Sequence, residues 1–361
     1  VLVVVPGPRT DTSKEREDPW RMMRAAMYYA NDDVRLAHLP VPRIARGEIL
    51  VRVRASGICG SDVMEWYRKP HAPLVLGHEI AADVVEVGAG VSNVRAGDRV
   101  FVSHHVPCGA CGYCLAGHET VCDTLRSTNF DPGGFAEFVR VPAVNVRHGV
   151  FPLPPEISDE EGVFVEPLAC VVRGQRLANL RPGGTVLVIG SGVAGLLHVK
   201  LAKASGAARV LATDVVDFRK AAAAQAGADV VIDGREDVPA RVRAANDGRL
   251  ADLVVTATGI PAAIAQGLQS VDRGGTVLFF APTDPTAGVT IPFNALWREE
   301  VTLTSSYAGA PRDIRASIEL LASRRLSVKD LITHVLPLED AATGFRLVAE
   351  ANESLKVVLR P

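Results

Sequence analysis

The stretch TVLVIGSGVAGLLHVKLAKASG, Thr185 to Gly206, leaves few options for the fold around it. A compact apolar run leads directly into G-x-G-x-x-G, and the glycines lead directly into a helix-forming segment. In a chain with 32 glycines the hexapeptide alone is a weak signal. Placed between a strand and a helix it is a strong one. The first glycine permits a tight turn, the second lets backbone approach a pyrophosphate, and the third lets the helix pack against the strand. Unpaired N–H groups at the helix N-terminus then face the phosphates. Gly190, Gly192, Val193, Ala194 and Gly195 are therefore expected to hold a dinucleotide.

The following residues support the same expectation. Asp214 ends the next apolar run, ARVLATD, where a carboxylate can accept both hydroxyls of the adenosine ribose. A carboxylate there repels a 2′-phosphate, so NAD is expected over NADP, although Arg219 could accommodate that phosphate. ADVVID, LADLVVTATG and GGTVLFFAP continue the series of compact apolar strands between helical segments. Such alternation means a doubly wound parallel sheet covered on both faces. Ligands bind at the carboxyl ends of such strands, which brings in Thr258 and Gly259.

A second feature lies upstream. Cys108, Cys111, Cys114 and Cys122 are spaced C-x2-C-x2-C-x7-C. A redox pair needs only two cysteines, and the flanking HHVPCGACGYCLAGHETVCD is not basic enough for a nucleic-acid finger. Six cysteines in 361 residues without an export signal argue against a disulfide frame. Two-residue gaps let backbone fold around one ion, so the four thiolates are expected to enclose a structural Zn²⁺. The remaining cysteines are Cys59, in the Gly-flanked turn SGICGSD, and Cys170, read as a packed core residue.

Charge excludes further classes. Against 41 acidic residues stand 39 basic ones, with no Lys/Arg-rich run, so no nucleic-acid partner is expected. No segment is long and apolar enough to suggest a membrane span. The first residues, VLVVVPGPRTDTSKEREDPW, fit neither a signal nor a transit peptide, and residues 1–22 read as a loosely ordered extension of a cytoplasmic protein.

From Ala26 to about Val146, short β-like runs with Gly/Pro punctuation indicate a β-rich, partly barrelled unit. SDEEGVFVEPLACVVRGQRLANL then reads as a helix capped by Ser158. The last fifty or so residues cannot form a core of their own and are assigned back to the first unit. The expected division is residues 23–173 with 308–361, and residues 174–307 for the dinucleotide unit.

Taken together, GICGSD, LGHE, the four-cysteine loop, EPLA, GSGVAG with Asp214 and the closing SLKVVL resemble the zinc-containing medium-chain alcohol and polyol dehydrogenases, from about Met23 to Pro361. The resemblance implies a GroES-like catalytic unit beside the Rossmann-type sheet. It makes Cys59, His78 and Glu166 ligands of a catalytic zinc, Glu79 a fourth or intermittent ligand, and Asp62 the acceptor that orients His78. Ser61 becomes the first proton acceptor from a bound alcohol, and Lys356 a contact of the cofactor pyrophosphate. Trp66 and Tyr67 are placed near the substrate mouth.

Glu166 stands where simple alcohol dehydrogenases carry cysteine, which points to the sorbitol, polyol and threonine branch. Met64 departs from the pattern, which often has a relay histidine there. The expected activity is NAD-dependent oxidation of a secondary alcohol of a polyol, cyclitol or sugar-derived substrate, with two zinc ions per chain. An amino-alcohol or threonine dehydrogenase is the alternative, and a catalytically silent NAD-binding zinc protein the alternative of another class. TVLFFAPT and VTIPFNALW resemble the family's subunit-pairing edge, implying a homodimer or homotetramer.

Overall fold

The computed structural model describes residues 22–361. The expected extension therefore lies, apart from Met22, outside the described residues.

Six parallel strands form one sheet in the order Val230–Asp233, Arg209–Asp214, Thr185–Ile189, Ala251–Thr256, Val271–Phe279, Thr302–Ser305. Counted along the chain this order is 3-2-1-4-5-6, and it reverses beside Thr185–Ile189. Alternate side chains of that strand enter different cores. Val186 and Val188 pack with the helix Val193–Ala204 on one face, while Leu187 and Ile189 pack with Ile264 and Leu268 on the other. Burial on both faces explains why these strands read as unbroken apolar runs.

The second large sheet has Ile49–Gly57 as its hub. That strand pairs antiparallel with Glu79–Val87 and Phe138–Val141, and its end meets the closing strand Lys356–Arg360. The C-terminal segment therefore completes the first sheet. The register sets Gly57 opposite Glu79 and next to Val358, so three remote segments meet at one sheet end. A side chain at Gly57 would collide with Oε2 of Glu79. Met22–Ala30, Asp33–Pro40 and Leu74–Val75 form a smaller antiparallel sheet.

The single helix expected after Ser158 is broken in two. Ser158 and Glu161 close a capping box over Asp159–Gly162, and a new helix runs Val165–Leu177 from Phe164. The cause is Pro167: with no N–H to donate, it fits a first turn and not a helix interior. The restart places Glu166 in the opening turn of the helix that links the two sheets. Asp313 caps the helix Pro311–Ala322 and accepts Arg176 from the linking helix at 3.0–3.2 Å, which locks the two together. Among the described residues no helix is long and apolar enough to cross a membrane.

Candidate active site and metal centres

Cys59 opens a single 3-10 turn, Gly60–Val63, that builds its own cap. Its Sγ accepts from Ser61 N at 3.4 Å, while Asp62 Oδ2 accepts from Cys59 N at 3.0 Å. Asp62 is fully buried, and its Oδ1 stands 3.4 Å from His78 Nδ1 and 3.4 Å from Arg68 Nη2. Burial opposes the charge of Asp62, but His78 and Arg68 prevail and hold its pKa below the ordinary value. The pairing leaves Nε2 of His78 as the nitrogen available to a ligand.

Gly77, at φ +94°, turns the chain just ahead of His78, and a Cβ there would press on Phe135 N at 2.7 Å. Glu79 follows at the start of its strand, fully buried. Its Oε2 accepts from Lys356 Nζ at 2.5 Å, and its Oε1 has no partner among the described residues. One ligand atom each from Cys59, His78 and Glu79 lies within 4.8 Å of the others. A sulfur, an imidazole nitrogen and an unpartnered carboxylate oxygen are a donor set suited to Zn²⁺.

Glu166 is not part of that compact set. Its Oε1 accepts from Cys170 Sγ at 3.4 Å, one helical turn on, and burial raises its pKa. Cys170, read from sequence as core packing, is only half-buried and shares the environment of Glu166.

The four-cysteine lobe is equally converged, with all four sulfurs within 4.8 Å of one another. Cys108 Sγ accepts from the backbone N of Ala110 and Cys111 at 3.4 and 3.3 Å, and Cys122 Sγ accepts from Cys108 N at 3.5 Å. Burial opposes the charged form of Cys122, but the backbone N–H groups of Cys108 and Leu125 prevail and bring its thiol down to about 6. Four sulfurs with amide donors behind them fit a closed tetrahedral Zn²⁺ site.

The dinucleotide fingerprint faces the first of these metal centres. Ile58, Cys59, Ser61, Met64 and Glu79 line one side of a cleft of about 560 Å³, with Gly190, Gly192, Val193, Ala194, Asp214, Arg219 and Thr258 on the other. Gly190 has φ +92°, and a Cβ on Gly195 would collide with the Gly190 carbonyl oxygen. Nothing lies within 4 Å of a Cβ placed on Gly192, so backbone there is open to a ligand. Asp214 is pinned by Ser191 N at 2.8 Å and by the N–H groups of Val215 and Val216 at 2.8 and 3.0 Å. Buried Arg219 Nε has no partner among the described residues. Gly259 is set back from this wall, where a Cβ would collide with Pro282 O. Lys356 lines the cleft, with its Nζ already engaged by Glu79 and by Ile58 O at 3.3 Å.

Sequence reasoning missed Arg68, nine positions after Cys59, and the histidines preceding the cysteine loop. The ring of His104 lies 4.8 Å from that of His78 and 3.8 Å from that of His105. Burial pushes His104 well below its ordinary pKa and His105 down to about 4. No local spacing marks these residues. Trp66 and Tyr67, both 42% exposed, stack loosely at 5.8 Å beside Arg68.

Comparison with known proteins identifies the family. The family described as alcohol dehydrogenase GroES-like domain matches residues 45–155, and the zinc-binding dehydrogenase family matches residues 193–323. The chain is 36% identical to an L-threonine 3-dehydrogenase of Bacillus velezensis, over 90% of this chain and 95% of that protein. It is 32% identical to a sorbitol dehydrogenase of Bacillus subtilis, over 94% and 97%. Among solved structures, alcohol dehydrogenase TADH from Thermus sp. ATN1 superposes with a TM-score of 0.84 at 33% identity, covering 94% of this chain and 99% of that one.

Proposed function

The chain belongs to the zinc-containing medium-chain alcohol and polyol dehydrogenases, and we propose that it oxidises a secondary hydroxyl of a polyol, cyclitol or sugar-derived alcohol, with NAD as hydride acceptor. One observation carries this reading: Cys59 and Glu79 of the metal-ligand set and the glycine fingerprint line the same cleft. Hydride transfer requires the carbinol carbon beside the nicotinamide, in a site that excludes water.

Cys59 and His78 would hold the catalytic ion, with Glu166 and Glu79 as its carboxylate partners. A zinc ion held there supplies Lewis acidity that lowers the pKa of the substrate hydroxyl. Asp62 keeps the Nδ1 side of His78 engaged, which would leave Nε2 to hold the ion. Ser61, which lines the cleft, would receive the alcohol proton, and a bound nicotinamide would supply the hydride acceptor, giving a ketone product. Backbone at Gly192, Val193 and Ala194 would take the pyrophosphate, and Asp214 with Arg219 the adenosine ribose. Cys108, Cys111, Cys114 and Cys122 would hold a second, structural zinc.

A second reading, oxidation of threonine or another amino alcohol, is favoured by the 36% identity to a threonine dehydrogenase. The test is zinc content per chain together with NAD reduction across polyols, cyclitols, sugars, threonine and simple alcohols. About two zinc ions and turnover abolished by Glu166→Ala support the reading. One zinc ion and no turnover on any alcohol would move a silent NAD-binding role to the front.

A homodimer or homotetramer is also proposed. Thr302–Ser305 ends the six-stranded order with one edge open, and Leu303, Ile291, Phe293 and Trp297 beside it are 37%, 45%, 74% and 71% exposed. Light scattering at micromolar concentration tests this, and a monomer would overturn it. Six free cysteines, four of them grouped for a metal, support a reducing compartment, the cytoplasm.

A further inference from the structure

Arg68 ends the short helix Glu65–Arg68 and reaches back over the turn that carries Cys59. Its Nε donates to the Ser61 carbonyl at 3.0 Å, and its Nη2 donates to Ser61 Oγ at 3.2 Å and to Asp62 Oδ1 at 3.4 Å. The guanidinium carbon lies 4.5 Å above the Tyr67 ring, and the side chain is only 18% exposed. Arg68 is therefore fixed in place, held on one face by an aromatic ring and along one edge by the turn.

A guanidinium donates and never accepts. Ser61 Oγ must accept from it, and Arg68 is the sole partner of that oxygen among the described residues. With one acceptor position filled, the hydroxyl keeps one lone pair and its hydrogen for the cleft, which Ser61 lines. A proton hand-on needs that combination: the lone pair would take the substrate proton while the hydroxyl's own proton would pass to a further hydroxyl or water in the cleft. Without Arg68 the hydroxyl is free to rotate and lose that polarity. Met64 is a thioether and moves no proton, so no histidine at that position fixes the direction.

We propose that Arg68 is a positioning residue that sets the direction of the Ser61 hydroxyl. The assignment rests on the dehydrogenase reading and adds to it.

The test is a double-mutant cycle on the zinc-loaded protein with the best substrate of the panel, comparing wild type, Arg68→Met, Ser61→Ala and the double variant. Arg68→Met should lower kcat about tenfold, the scale of one lost charge-assisted hydrogen bond. NADH affinity by fluorescence and zinc content should stay within about twofold of wild type, since the glycine loop and Asp214 would supply most of the cofactor's contacts and Arg68 donates to Ser61 and Asp62, not to a proposed zinc ligand. In the Ser61→Ala background the same substitution should change kcat by less than about twofold, because the group it acts through is gone. Arg68→Lys should recover only part of the loss, since an ammonium cannot reproduce the planar fork. Multiplicative losses in the double variant, or zinc lost with Arg68→Met, would overturn the assignment and leave Arg68 as a brace for Asp62. Wild type inactive on every alcohol would overturn the functional reading and this assignment together, whereas an active wild type with a multiplicative cycle overturns this assignment alone.

Discussion

Lys356 Nζ lies 2.5 Å from Glu79 Oε2, and the two side chains, 277 positions apart in the chain and inside the sheet end, are 2% and 0% exposed. Burial disfavours the charged lysine, but Glu79 and Cys59 prevail and raise its pKa. Removing one partner of such a pair strands a charge in the interior. Lys356→Met should therefore destabilise the fold by about 3–5 kcal/mol, and adding Glu79→Gln should return much of that. Denaturant midpoints of wild type and both variants check this, and equal midpoints would show that the pair carries no stability.

The cysteine lobe should fail without affecting the cleft. Cys111 is half-buried, so Cys111→Ser removes a ligand with little loss of packing. Zinc content should fall from about two ions per chain to about one, and the thermal midpoint by at least ~5 °C, because metal binding contributes directly to folding. NADH binding by fluorescence should stay near wild type.

The glycine loop and Asp214 give a graded pair. Gly195→Ala has no room against the Gly190 carbonyl and should abolish NADH binding. Asp214→Ala keeps the strand but removes the acceptor for Ser191, Val215 and Val216 N–H groups and for the ribose. It should weaken NADH binding about 10- to 100-fold, the loss expected when a charged acceptor leaves donors unpaired. Fluorescence titration separates the two outcomes.

His198 supplies a pH dependence remote from both metal centres. It is fully buried, its Nδ1 lies 3.2 Å from Gln175 Nε2, and its Nε2 has no partner among the described residues. Burial lowers its pKa from 6.5 to about 3. Between those values the unfolded chain binds a proton that the folded protein refuses. Stability is therefore complete above the unfolded pKa and falls as pH drops toward the folded one, by about 2 kcal/mol at pH 5. His198→Leu should flatten the stability profile between pH 7 and 5, as measured by urea unfolding at each pH. Gln175 keeps the backbone carbonyl of residue 198 as a partner in that variant.

Much of the architecture is encoded in short local patterns. Four apolar residues, Val186 to Ile189, ahead of GSGVAG specify strand, turn and helix because a buried parallel strand needs apolar side chains on both faces and the turn needs glycine at φ +92°. The spacing of Cys108 to Cys122 specifies a metal lobe because closing a shell around one ion is a local constraint. Ser158 with Glu161 marks a helix start for the same local reason.

Other features depend on contacts between segments far apart in the chain. The register that sets Gly57 opposite Glu79 and beside the strand of Lys356 brings a lysine and a glutamate 277 positions apart into one buried pair. Arg68 carries no recognisable motif, and its role appears only where the Glu65–Arg68 turn folds back onto Ser61 and Asp62. Glu166 has its Oε1 on Cys170 because the helix restarts at Phe164. Residue type and spacing determined the available chemistry and the local turns, since backbone sterics act over a few residues. Which charges pair in the interior, and which side chain steers a hydroxyl, only the tertiary structure decided, since sheet register and helix packing set those distances.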